Sequence, residues 1–209
     1  MSIISNLQIN GYQEEQLPDT LTLPLGNLPP RADFVVSRRP DGSPVSRVKD
    51  DTWNLRMYDA QNRCIYDFSS GYSTPNNELA IQIKQELKTI QLARMYLFET
   101  PRKVNSIKLT TIRKLAILAI NNKVSIRELF NNTSYQAAII SSYSSLSDNS
   151  MKTTLGVIRE LYNIRIKHKE FDLAPSNHEF VRKLESIYSK ISKNQRQDGG
   201  LKEQVQHLM

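Results

Sequence analysis

The stretch SIKLTTIRKLAILAINNKVSIRELF, residues 106–130, decides the fold class. From Ser106 to Asn121, apolar residues fall on nearly every side of a helical projection: Ile107, Leu109, Ile112, Leu115, Ile117, Leu118 and Ile120. A helix that is apolar all round belongs in the centre of a bundle. The next residues, Ser125-Ile126-Arg127-Glu128, form a capping-box pattern, in which Ser and Glu satisfy each other's free backbone N–H groups. This pattern opens a short helix expected to bury Ile126, Leu129 and Phe130.

Helical spacing continues on both sides. Over 77–99, Leu79, Ile83, Ile90, Ala93 and Leu97 lie near one face, with Lys84, Lys88 and Arg94 elsewhere and Pro101 beyond the end. A helix is predicted over about 134–146, carrying Tyr135, Ala138, Ile139 and Leu146. The polar run SSYSSLSDNS, residues 141–150, reads as a loop. Residues 151–168 place Met151, Leu155, Ile158, Tyr162 and Ile166 at helical intervals. Ser176-Asn177-His178-Glu179 repeats the capping-box pattern ahead of Phe180, Val181, Leu184, Ile187, Tyr188 and Ile191.

Chain breakers mark the domain organisation. Six of the nine prolines lie in the first 44 residues, whereas Gly156 is the single glycine between Pro75 and Asp198. The sequence therefore divides into an irregular or short-stranded segment (1–72), a helical domain (73–193) and a frayed tail (194–209). The fold class expected is mainly α. In the first segment, LPDTLTLPLGNLPPRADFV is too rich in proline for regular structure. ADFVVS, TWNLRMY and RCIYDFS are short β-branched or aromatic runs between turn residues such as PDGS and DAQN. They suit either a small antiparallel sheet or segments lying along the helices.

The 209 residues carry 28 Lys/Arg and 21 Asp/Glu, a formal net charge of +7, with 39% hydrophobic residues. This is a globular composition rather than a disordered one. The longest apolar run, Leu115 to Ile120, is far short of a membrane span, and the start MSIISNLQINGYQEEQ has no signal-peptide pattern. With Cys64 alone there is no intramolecular disulfide and no cysteine-based zinc site. An intracellular protein is the expectation. The charge is uneven: residues 1–72 hold seven basic and nine acidic side chains, and the remainder 21 and 12. A basic module behind a near-neutral one points to a polyanionic partner.

Catalytic patterns are missing. The sequence has no GxxxxGK[ST], GxGxxG, HExxH or GxSxG, and His168, His178 and His207 have no metal-ligand spacing. His178 reads as a solvated surface residue, Cys64 as a small buried one, and Asp50-Asp51 as loop carboxylates pointing apart. No catalytic residue, metal or cofactor is expected, and no small-molecule substrate.

The informative feature is a stretch without acids. Between Glu99 and Glu128 stand Arg102, Lys103, Lys108, Arg113, Lys114, Lys123 and Arg127, with no Asp or Glu. Solvated helix faces usually interleave both signs, because opposite charges at i,i+4 attract and like charges repel. Thr110, among these cations, is a suitable phosphate-oxygen donor. Lys152, Arg165, Lys167 and Lys169 form a second cluster. Single-strand RNA readers stack bases on sheet aromatics. Here the basic region is helical and aromatic-poor, and Tyr96, Tyr135, Tyr143, Tyr162 and Tyr188 fall on or near apolar stripes. Double-stranded DNA is the partner favoured.

A long amphipathic helix, a buried helix of the type TTIRKLAILAINN, a capped SIRELF helix, a Ser-rich loop and a further long helix follow one another here. This order resembles the core-binding, SAM-like domain of tyrosine recombinases and phage-type integrases. Trp53-Asn54-Leu55 is similar to a segment leading into that domain in longer bacterial members, so the likeness spans about 50–193. The resemblance implies a module that clamps duplex DNA together with a catalytic domain, beside other recombinase protomers, in the bacterial cytoplasm and on the nucleoid. In that family the catalytic domain supplies a tyrosine, two arginines, a lysine and His-x-x-Arg. This sequence has no His-x-x-Arg, so no residue inherits a catalytic role. The expectation is a non-catalytic DNA-binding module of a mobile-element recombinase, as a fragment, a truncated frame or a stand-alone protein. The alternative is a helical accessory or regulatory module that docks a protein.

Overall fold

A computed structural model describes residues 2–3, 16–19, 21–22, 30–58, 64–69, 77–97 and 107–191. The tail 194–209 and the DAQN turn lie outside the described residues. The N-terminal part forms short antiparallel ladders. β1 (Ser2–Ile3) pairs with β2 (Leu21–Thr22), which puts a two-residue strand inside a proline-rich run expected to have no regular structure. β3 (Val35–Arg38) pairs with β4 (Pro44–Arg47), and β5 (Thr52–Asn54) with β6 (Ile65–Asp67). The PDGS segment makes the β3–β4 turn. Gly42 takes the left-handed conformation (φ 78°), and Asp41 Oδ1 accepts from Ser43 N at 2.9 Å.

The helical part contains α1 (Asn77–Tyr96), α2 (Ile107–Asn121), α3 (Ile126–Asn131), α4 (Thr133–Ser144), α5 (Asp148–Lys167) and α6 (178–191). Both halves of the capping box at Ser125 are made: Glu128 N donates to Ser125 Oγ at 3.1 Å and Ser125 N to Glu128 Oε2 at 2.9 Å. The second box is displaced by one residue. Asn177, not Ser176, caps α6, its Oδ1 accepting from Phe180 N at 2.8 Å. The Ser-rich run is mostly helical rather than a loop: 141–144 end α4, 148–150 begin α5, and 145–147 alone connect them. Burial of Tyr143 anchors the last turn of α4, and Ser144 Oγ is bonded back to Ile140 O at 2.8 Å.

A single hydrophobic core runs from Val36 and Trp53 to Phe180 and Leu184, so the β-hairpins and the helices share one interior. Trp53 and Phe68 meet edge to face at 4.6 Å. Tyr96 Oη donates to Asp19 O at 2.8 Å, and Tyr58 Oη donates to Gln16 O at 2.6 Å. Cys64 is buried, as expected.

The more deeply buried of the two helices is α1, not α2. Every side chain from Glu86 to Leu97 is buried, including four charged or amide groups. Each finds a partner: Arg94 meets Glu160 (3.1 Å) and Gln91 (2.8 Å), Lys88 meets Lys49 O (3.2 Å), and Glu86 accepts from Ile126 N (2.7 Å). Buried charges survive when paired and hydrogen-bonded. α2 packs inward through Ile112, Leu115, Ala116 and Ala119, and leaves Ile117 43% exposed.

Candidate nucleic-acid interface

The opposite edge of α2 faces solvent. Thr110, Lys114, Ile117 and Asn121 recur every three or four residues and are all exposed, so Lys114 is held outward by the burial of its neighbours. The helix then closes in a Schellman motif. Val124 N donates to Ala119 O (3.0 Å) and Lys123 N to Ile120 O (2.9 Å), with Lys123 at φ 57°. Glycine favours that conformation; here the chain carries an exposed lysine at a local cost.

Of the other residues in the acid-free stretch, Arg102 and Lys103 lie outside the described residues. Lys108 is in the first turn of α2, with its side chain also outside them. Arg113 turns inward: it hydrogen-bonds Asp67 O and lies 3.4 Å from Asp67 Oδ2, tying α2 to β6. Arg127 is exposed but ion-paired with Asp172 Oδ2 at 2.8 Å. The acids missing from the local sequence are thus supplied from 46 and 45 residues away.

The second cluster divides the same way. Arg165 is half-buried and donates to Asn131 Oδ1, Ala174 O and Asp172 O, bracing the α5–α6 connection against α3. Lys152, Lys167 and Lys169 are exposed. Lys114, Lys123, Lys152 and Lys169 make no ion pair among the described residues. In these two clusters the described arginines brace the fold and the described lysines face water, consistent with the planar guanidinium fork's suitability for partly buried, multi-acceptor sites.

Sequence reading predicted α6 but missed its outer face as part of the candidate site. Arg182, Lys183 and Lys190 are exposed on the side opposite Phe180, Val181 and Leu184. The signal was available, because the stripe that identifies the core face also identifies the outer one. Among the described side chains of 107–191, ten exposed ones are cationic and three anionic, Glu128, Glu170 and Glu179, so the described outer surface is predominantly positive.

Three buried groups have perturbed titration. Burial raises the Glu86 carboxyl above the usual range, opposed by the Ile126 N–H and the Gln82 amide. Burial lowers the Lys88 ammonium, opposed by Asp51. The buried Tyr143 hydroxyl is pushed up to about 12 by desolvation. These groups serve packing. Among the described residues no group of three or more His, Cys, Asp or Glu is placed to hold a metal, and no helix is long and apolar enough to cross a membrane.

In comparisons with known proteins, no family model, no curated protein and no solved structure matches the chain.

Proposed function

We propose that the chain is a duplex-DNA-binding module of a site-specific tyrosine recombinase, non-catalytic in itself, that grips the phosphate backbone through outward lysines of its helical half. The observation that carries this reading is the ten-to-three excess of exposed cations over anions among the described side chains of 107–191. Most of its arginines are engaged within the fold, leaving mainly lysines free to neutralise phosphates. Phosphate contacts of this kind position a protein on DNA without reading sequence. The recombinase assignment itself rests on helix order, hydrophobic pattern and basic character in the sequence. An apolar groove exposing Leu97, Phe98 and Phe130 would have favoured protein docking instead; Leu97 and Phe130 are buried, and Phe98 lies outside the described residues.

The test is a charge-reversal comparison on a duplex at fixed salt. Lys114→Glu with Lys123→Glu should weaken binding and make the log–log salt slope shallower by roughly two units. Lys49→Glu with Arg56→Glu, on the hairpin half, should change it little. Equal effects from the two pairs would remove the helical lysines from the interface.

A further inference from the structure

Gly156 is in the middle of the 20-residue helix α5, where glycine costs about 1 kcal/mol relative to alanine. Internal packing does not demand it: a Cβ at this position would meet nothing within 4 Å. Its helical stripe also carries Lys152, Arg159 and Asn163, all exposed. A bare backbone patch on an open, basic helix face permits close approach by a ligand.

α6 lies alongside. Arg159 Nη2 meets Glu185 Oε1 at 2.6 Å, and the Tyr162 ring stacks on His178 at 5.6 Å. Moving forward on α5 therefore means moving backward on α6, so the helices run antiparallel. Lys152 lies two turns before Arg159 on the same exposed stripe of α5. The outer face of α6 presents Arg182, Lys183, Ser186, Ser189 and Lys190, all exposed. Its cations make no ion pair among the described residues, and its serine hydroxyls suit phosphate oxygens. Glu185 is neutralised by Arg159, leaving Glu179 as the one acid on α6 with no ion pair among the described residues.

We infer that the paired outer faces of α5 and α6 form a docking surface for the sugar-phosphate backbone of duplex DNA, with Gly156 at the point of closest approach. This inference rests on the DNA-binding reading but assigns the contact to a face distinct from α2. Neither Gly156 nor the α6 cations are needed for the α2 lysines to bind.

The experiment measures duplex affinity by fluorescence anisotropy with the full chain, using Gly156→Ala, Gly156→Leu and Arg182→Glu with Lys183→Glu. Thermal melts of the same samples establish folding, and Gly156→Ala should melt higher than wild type. Gly156→Leu is expected to weaken binding about tenfold without lowering the melting temperature, as its side chain holds the backbone off. The Arg182/Lys183 reversal should make the log–log salt slope shallower by about two. If wild type binds and both variants bind as it does, the α5–α6 surface is refuted while the α2 reading stands. If only an acidic protein surface, and no duplex, is bound by wild type, both fall. A Gly156→Leu chain that melts lower assigns the glycine to packing and overturns its role at the interface; the Arg182/Lys183 result then decides the face.

Discussion

Arg165→Lys keeps the charge of a residue that sequence pattern places at a DNA interface and removes the guanidinium fork that the fold uses. In the native chain the fork reaches Asn131 Oδ1, Ala174 O and Asp172 O. Asp172 O retains Asn131 Nδ2 as a donor at 2.8 Å, so its loss is cushioned. Lysine has one compact ammonium and cannot span the three acceptors. The loss is therefore that of one to two charge-assisted bonds, about 2–3 kcal/mol. At about 2–4 °C per kcal/mol for a chain of this size, the melting temperature should fall by about 5–10 °C. The assay pairs a thermal melt with duplex affinity at a temperature where both proteins are folded. Affinity should stay within about twofold, because the charge near the surface is unchanged. An unchanged melting temperature with a large loss of affinity would refute the division into bracing arginines and binding lysines.

Three further outcomes follow from the interior and the caps. Glu86 has a folded pKa above its unfolded value, so its favourable contribution is complete below the unfolded pKa and is lost as pH rises through the folded one. Glu86→Gln should thus match wild type near pH 4 and be the more stable protein at pH 7 in urea titrations; a growing deficit above pH 6 would contradict this. Arg94→Met removes the guanidinium paired with the buried Glu160 carboxylate and should cost about 3–5 kcal/mol, whereas Arg94→Met with Glu160→Leu should recover most of it in the same denaturant assay. Lys123→Gly relieves the left-handed backbone and should stabilise by about 1 kcal/mol while weakening duplex binding, a split that a melt and an anisotropy titration resolve.

Much of the fold was legible because its signals are local. The Ser125–Glu128 cap, the spacing of Phe180, Val181 and Leu184, and the PDGS turn each depend on residues within a few positions of one another. The deep burial of α1 was not legible, since this helix looks amphipathic until Glu160, Ile126 N and Lys49 O arrive from distant segments to satisfy its polar groups. The same blindness affected the candidate interface. A window between Glu99 and Glu128 contains no acid, yet Asp67 and Asp172 pair with Arg113 and Arg127 across the fold. The serine run misled for a related reason: low helix propensity at 141–144 is outweighed by burying Tyr143.

The salt dependence of wild-type affinity for a duplex of 20–30 base pairs tests the central claim most directly. Three to six lysines or arginines in contact with phosphates would each release about 0.9 of a counterion, giving a log–log slope of about −3 to −5. The account predicts a slope in that range, with affinity falling at least tenfold between about 50 and 200 mM salt. Binding that is absent at the lowest salt, or whose slope is near zero, would contradict it.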